Sequence, residues 1–180
     1  YKFHHTVDLK HGFVLATDVT GANDHDSVPS EPMAERAEEA TGRIVTKVIG
    51  DCAYGTEKNR AAHEEAGREL VAKMPRNETP GRFPKHAFAI DFEHRTVTCP
   101  EGNTTGTFRI VRAAIATPGR DILAASERSR LYVFPAETCQ ACPQRGACFS
   151  SRAETRTIEV RPNEALFVQA RAYQATQPYQ

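Results

Sequence analysis

Apolar positions along this chain fall in short blocks separated by polar or glycine punctuation, and their period changes from block to block. Residues 2–9 and 13–20 are β-rich and partly alternating. The Lys10-His11-Gly12 link between them predicts a hairpin turn with Gly in the unusual backbone region. A polar connection over 21–27 follows. Ser30-Glu31-Pro32 then predicts a helix to Ala40, with Ser as cap, Pro in the first turn and acids suited to the helix dipole. Thr41-Gly42 ends it. The apolar run 44–50 predicts a buried strand, and a helix over 56–66 has Thr56 as its cap and Gly67 as its stop. A short strand at 70–74 is closed by Pro75. This alternation predicts an α/β layout with a mixed sheet.

The pattern then changes. Pro75, Pro80, Gly81 and Pro84 mark a loop over 75–86. Residues 88–92 and 96–99 predict a hairpin turning at Glu93-His94-Arg95, and further β-rich pieces cover 107–112, 130–134 and 155–160. A last helix begins near Asn163 and carries Leu166, Val168, Ala170 and Tyr173. The expected organisation is an α/β part over 1–74, a β-rich insert over 75–161, and a helix over 162–180 leading back toward the core.

Hydrophobic content of 39% and charged content of 26% fit a globular chain. No run approaches the roughly 20 apolar residues that cross a bilayer. The opening residues lack a signal-peptide pattern, which points to the cytoplasm. The chain also lacks a starting Met and opens inside a strand, so an upstream portion is expected. Net charge is zero but unevenly placed: residues 1–73 hold 9 basic against 13 acidic groups, and residues 102–161 hold 9, all Arg, against 5 acids. Arg109, Arg112, Arg120, Arg128, Arg130, Arg145, Arg152 and Arg156 in the rear are candidates for phosphate contact, or simply a solvated face.

Asp51 is the first candidate for chemistry. It ends the 44–50 strand, and in open α/β sheets ligands bind beyond the carboxyl ends of strands. A desolvated carboxylate there is costly unless it is paired or holds a metal. A helix cap or salt bridge is the competing structural reading. Tyr54 reads as packing behind Asp51 with one hydroxyl partner, and Cys52 as a small packed residue. His4, His5, His25 and His63 are individually weak candidates.

Four cysteines form a second candidate. Cys139 and Cys142 have the two-residue spacing that lets two thiolates reach one zinc at about 2.3 Å, Cys148 follows, and Cys99 adds a fourth from a turn. Such a site would staple a β insert too thin to bury its own core. Disulfides, disfavoured in a cytosolic chain, and free thiols are the alternatives.

The stretch Val48–Arg60, with Asp51 followed by Tyr54-Gly55 and a helix carrying Asn59-Arg60, resembles the second-aspartate motif of bacterial insertion-sequence transposases of the DDE class. Residues 1–8 resemble that family's Tyr-Lys-x-His strand, and residues 20–27 its Asn-x-His-Asp-Ser loop. Residues 81–84, 97–102 and 134–143 are similar to the insert of one transposase subgroup.

The resemblance implies a ribonuclease-H-like mixed-sheet core, here partial. In such enzymes two Asp and one Glu hold two divalent ions about 4 Å apart for cleavage and transfer of DNA strands. It implies Mg2+ or Mn2+ as cofactor, with Asp51 as catalytic acid and metal ligand, and DNA ends and target as partners. It implies no membrane, and leaves self-association of the intact protein open. The family's first Asp precedes residue 1 and its Glu lies beyond residue 180; Asp8 and Asp26 match neither. Cys52-Ala53 stand where the family has Lys-Gly. The expectation is a transposase fragment or decayed copy with one of three acids, inactive alone. The alternative is a non-catalytic zinc-stapled module that binds nucleic acid or protein.

Overall fold

The computed structural model describes residues 1–74, 78–111 and 128–176, and the chain divides into two compact units: residues 1–75 with 166–180, and residues 76–165. In the first unit, β1 (Lys2–Val7) and β2 (Val14–Thr20) pair antiparallel around the expected turn, where Gly12 has φ 76°. Asp8 closes that turn by accepting from the Lys10 and His11 amides at 3.1 Å each. Helix α1 (Ser30–Thr41) follows and stops at Gly42, φ 64°. Its cap differs from expectation: Pro29 holds that position without a side-chain bond, and the Ser30 hydroxyl lies 3.0 Å from His63 Nε2.

β3 (Lys47–Gly50), α2 (Glu57–Glu65) and β4 (Glu69–Ala72) make a parallel β-α-β unit. Thr56 caps α2 by accepting from the Asn59 amide at 3.3 Å. The strand expected over 44–50 is shorter and not buried. Ile44 is 85% exposed and Ile49 55% exposed, because β3 has a strand partner on one edge only among the described residues. Helix α5 (Glu164–Gln174) returns to this unit, placing Phe167 under the Arg60 guanidinium and Gln174 Oε1 on the Met74 amide at 2.8 Å.

Polar groups join α1 to α2 and the turn after it, with Arg68 and His63 buried and Glu31 and Glu38 half-buried. Arg68 bonds Glu38 at 2.8 Å and reaches Glu31 at 3.4 Å, while His63 is fully buried. Arg68 and His63 Nε2 are paired there, as buried polar groups usually are, whereas His63 Nδ1 is not.

The second unit holds two small antiparallel sheets. One comprises β5 (Ala89–Asp91), β6 (Thr96–Thr98) and β7 (Thr104–Thr105); the other comprises β8 (Phe108–Ile110), β9 (Arg130–Val133) and β10 (Thr157–Val160). Arg95, at φ 53°, makes the expected β5–β6 turn. Thr105 Oγ1 donates to Val133 O at 2.9 Å and ties the sheets together. Their shared core is Phe88, Val97, Tyr132, Phe134, Ile158 and Val160. Helices α3 (Ala136–Ala141) and α4 (Arg145–Cys148) were not expected from the sequence. Both are too short to show a full apolar period.

Candidate functional site

Asp51 stands where β3 ends and a 3-10 turn, Cys52–Tyr54, begins. Its backbone is extended, and its Oδ1 accepts from the Ala53 amide at 2.8 Å. The capping reading is therefore realised. The expected desolvation is not: Asp51 is exposed, since the strand that leads to it is itself half-covered. Capping uses one oxygen. Oδ2 has no protein partner among the described residues and faces water, so the same side chain can cap the turn and offer a hard anionic ligand.

Several neighbours fix the turn. A Cβ on Gly50 would lie 3.1 Å from Tyr54 Cβ, Cγ and Cδ2, so the Tyr54 ring sits on bare Gly50 backbone. The Tyr54 hydroxyl has the expected partner: His4 Nδ1 at 3.1 Å, with His4 Nε2 in turn 3.0 Å from Thr20 Oγ1. That relay ties β1 and β2 to the Asp51 turn. Burial pushes the Tyr54 phenol above its ordinary pKa, and the negative charges of Asp51 and Asp26 add to the effect.

From below, Asn59 Nδ2 donates to Tyr54 O at 3.1 Å and to Ser27 O at 2.9 Å. Arg60 Nε donates to Gly55 O at 3.2 Å, and its Nη2 to Ala72 O at 2.9 Å. A Cβ on Gly55 would meet Arg60 Nη2 at 2.8 Å. The Asn59-Arg60 pair of the sequence motif thus holds the loops around Asp51.

The other sequence candidates divide. Asp26 pairs with Lys2 Nζ at 2.8 Å, which holds its carboxyl below the usual range. Lys2 Nζ also donates to Asp24 O at 2.6 Å. His25 Nδ1 lies 2.7 Å from Ser27 Oγ and His5 Nδ1 3.2 Å from Thr17 Oγ1, both local contacts. Among the described residues, no group of three or more His, Cys, Asp or Glu side chains forms a ready-made metal-holding arrangement. Sequence reasoning missed the Ser30–His63 and Lys2–Asp26 pairs, separated by 33 and 24 positions, for which a single sequence carries no signal.

A groove of about 470 Å³ opens beside the Asp51 strand, walled by Val7 on β1 and by Val48 and Ile49 on β3, with Met33 and Ala37 of α1 on its floor. The β1 and β3 edges beside it have no strand partner among the described residues. Tyr54, from the Asp51 turn, also borders it.

In the second unit, Cys99, Cys139, Cys142 and Cys148 are free thiols bordering one cavity of about 30 Å³. Cys52 is exposed rather than packed. Of the candidate phosphate-contacting arginines, Arg130 and Arg145 stack over Phe108 and Phe149. Arg156 donates to Cys148 O and Phe83 O. Arg109 and Arg152 are exposed, and Arg112 and Arg120 lie outside the described residues. No helix of the described residues is long and apolar enough to cross a membrane.

Residues 1–110 match a family model described as a transposase DDE domain. No curated protein and no solved structure matches the chain.

Proposed function

The chain belongs to the transposase DDE domain family, and on that premise we propose that it is part of an enzyme that cleaves and transfers DNA strands with divalent ions. Asp51 serves as one of the carboxylate ligands. The observation that carries this reading is the divided use of that carboxylate, with Oδ1 fixed by the Ala53 amide and Oδ2 left to solvent at the end of a strand. A clamped, solvent-facing hard oxygen fits Mg2+, which keeps several waters and takes one or two protein carboxylates. When bound, such an ion activates a hydroxyl or water nucleophile and stabilises the leaving oxygen of a phosphodiester.

What the chain's own residues contribute is position. The Gly50–Tyr54 contact and the His4 relay hold the turn from one side, and Asn59 and Arg60 hold it from the other. A carboxylate restrained in this way loses little freedom on coordinating an ion, which favours binding.

The groove between β1 and β3 supports the ribonuclease-H-like reading that family membership implies. Its two bordering strand edges are spaced by an apolar trough with an α1 floor, which suits one more strand. A strand seated there would run beside β3 and could bring a further acid to Asp51. Asp51 is the one acid assigned to the set in this reading, and no strand cleavage is expected of the described residues by themselves. The non-catalytic binding reading applies to that state.

The test is paramagnetic Mn2+ titration followed by amide NMR. Selective broadening at Gly50–Gly55 that disappears in Asp51→Asn supports the assignment. Broadening centred elsewhere, or unchanged in the variant, removes Asp51 from the metal site.

A further inference from the structure

We propose that Cys99, Cys139, Cys142 and Cys148 hold one zinc ion as a four-thiolate structural centre in the second unit. Three chain segments deliver the sulfurs. Cys99 opens the β6–β7 turn, where its amide bonds Asn103 O at 2.8 Å and Gly102, φ 81°, donates back to Cys99 O at 2.9 Å. Cys139 lies on α3, Cys142 follows that helix, and Cys148 ends α4. All four side chains border the same 30 Å³ cavity, which is roomy enough for one ion or one water. Its walls also include Phe83, Phe134 and Phe149, with the polar residues Asn103, Thr138 and Gln144.

The second observation is cationic. Arg145 and Arg156 border the same cavity, and the Nε–H of each is buried without an acceptor. A buried guanidinium donor left unpaired is unfavourable. Four thiols that give up their protons to solvent as four Zn–S bonds form make a centre of net charge −2. Two neighbouring guanidinium groups offset that charge and supply N–H donors to the thiolates, the usual outer support of metal ligands.

Without an ion the protonated thiols border the cavity instead of converging on a point. They form no ready-made metal-holding group as they stand, and zinc binding would draw them together. Cys139 Sγ lies 3.3 Å from the Thr155 hydroxyl, which donates to Phe134 O at 2.6 Å. The gain is structural, since six residues form the buried core cluster among the described residues of this unit, and metal binding adds directly to folding free energy in such small units.

The experiment is cysteine alkylation of the whole reduced chain with zinc or with a chelator, read by peptide mass spectrometry. The proposal expects Cys99, Cys139, Cys142 and Cys148 to be protected together with zinc and labelled with chelator, and Cys52 to be labelled in both. Elemental analysis should give about one zinc per chain. Labelling independent of zinc, protection of fewer than all four, or disulfide-linked peptides under reducing conditions would overturn it. Co2+ substitution provides an independent readout that needs no variant: intense sulfur-to-metal charge-transfer bands are expected, and a spectrum of oxygen or nitrogen ligation refutes the four-thiolate set.

Discussion

Mild acid should loosen the α1–α2 contact through His63. This imidazole is fully buried, with Nε2 3.0 Å from Ser30 Oγ and Nδ1 without a partner. A neutral ring can donate from Nε2 and leave Nδ1 as an unfilled acceptor. The cation would instead bury a second N–H with nothing to receive it. Burial, reinforced by the positive charge of Arg68 and opposed by Glu31, pushes the His63 pKa down. The sign follows from linkage. The unfolded chain takes up a proton near pH 6.5 and the folded chain resists, so stability is complete above that pH and falls below it. While the folded ring stays neutral, the loss between pH 7.5 and 5.5 is about 1.4 kcal/mol. Urea denaturation at those two pH values measures it, with His63→Gln as the reference that cannot titrate. Arg68 and the Val45 amide hold the Glu38 carboxyl below its ordinary range, and both are common to the two proteins. A wild-type loss no larger than that of His63→Gln would refute the reasoning, as would an NMR titration showing an ordinary imidazole.

Asp51→Asn should keep the cap on Ala53 and cost little stability, while Asp51→Ala should cost about 1 kcal/mol by chemical denaturation. Equal losses would show that charge, not capping, holds the turn. Gly55→Ala should destabilise by about 1–3 kcal/mol, because its methyl displaces Arg60 Nη2 from a buried position beside Ala72 O; an unchanged melting temperature would mean that Arg60 relocates freely. Incubation of the chain with supercoiled plasmid and Mg2+ should produce no nicking. Robust cleavage abolished by Asp51→Asn would show that the remaining acids lie within these residues.

Much of the local structure was legible because it is set by neighbours in sequence. The β1–β2 turn at Gly12, the Thr56 cap, the Gly42 stop and the β5–β6 hairpin all follow from residues within a few positions of one another. Asp51 was identifiable for the same reason, as an acid closing an apolar run before a helix, and the ordered motifs around it pointed to the family that residues 1–110 match. Its surroundings were not legible. Exposure depends on how many strands flank β3, and the apolar run 44–50 reads the same whether one edge or two are covered. The partners that fix the site come from far along the chain: His4 to Tyr54 spans 50 positions and Asn59 to Ser27 spans 32. The cysteine spacing proposed a zinc ligand set, but only the fold could show Cys99 lining one cavity with the other three beside two arginines whose Nε–H groups lack an acceptor. Local backbone preference acts over one turn of chain, whereas desolvation and charge pairing depend on which distant segments close over a group.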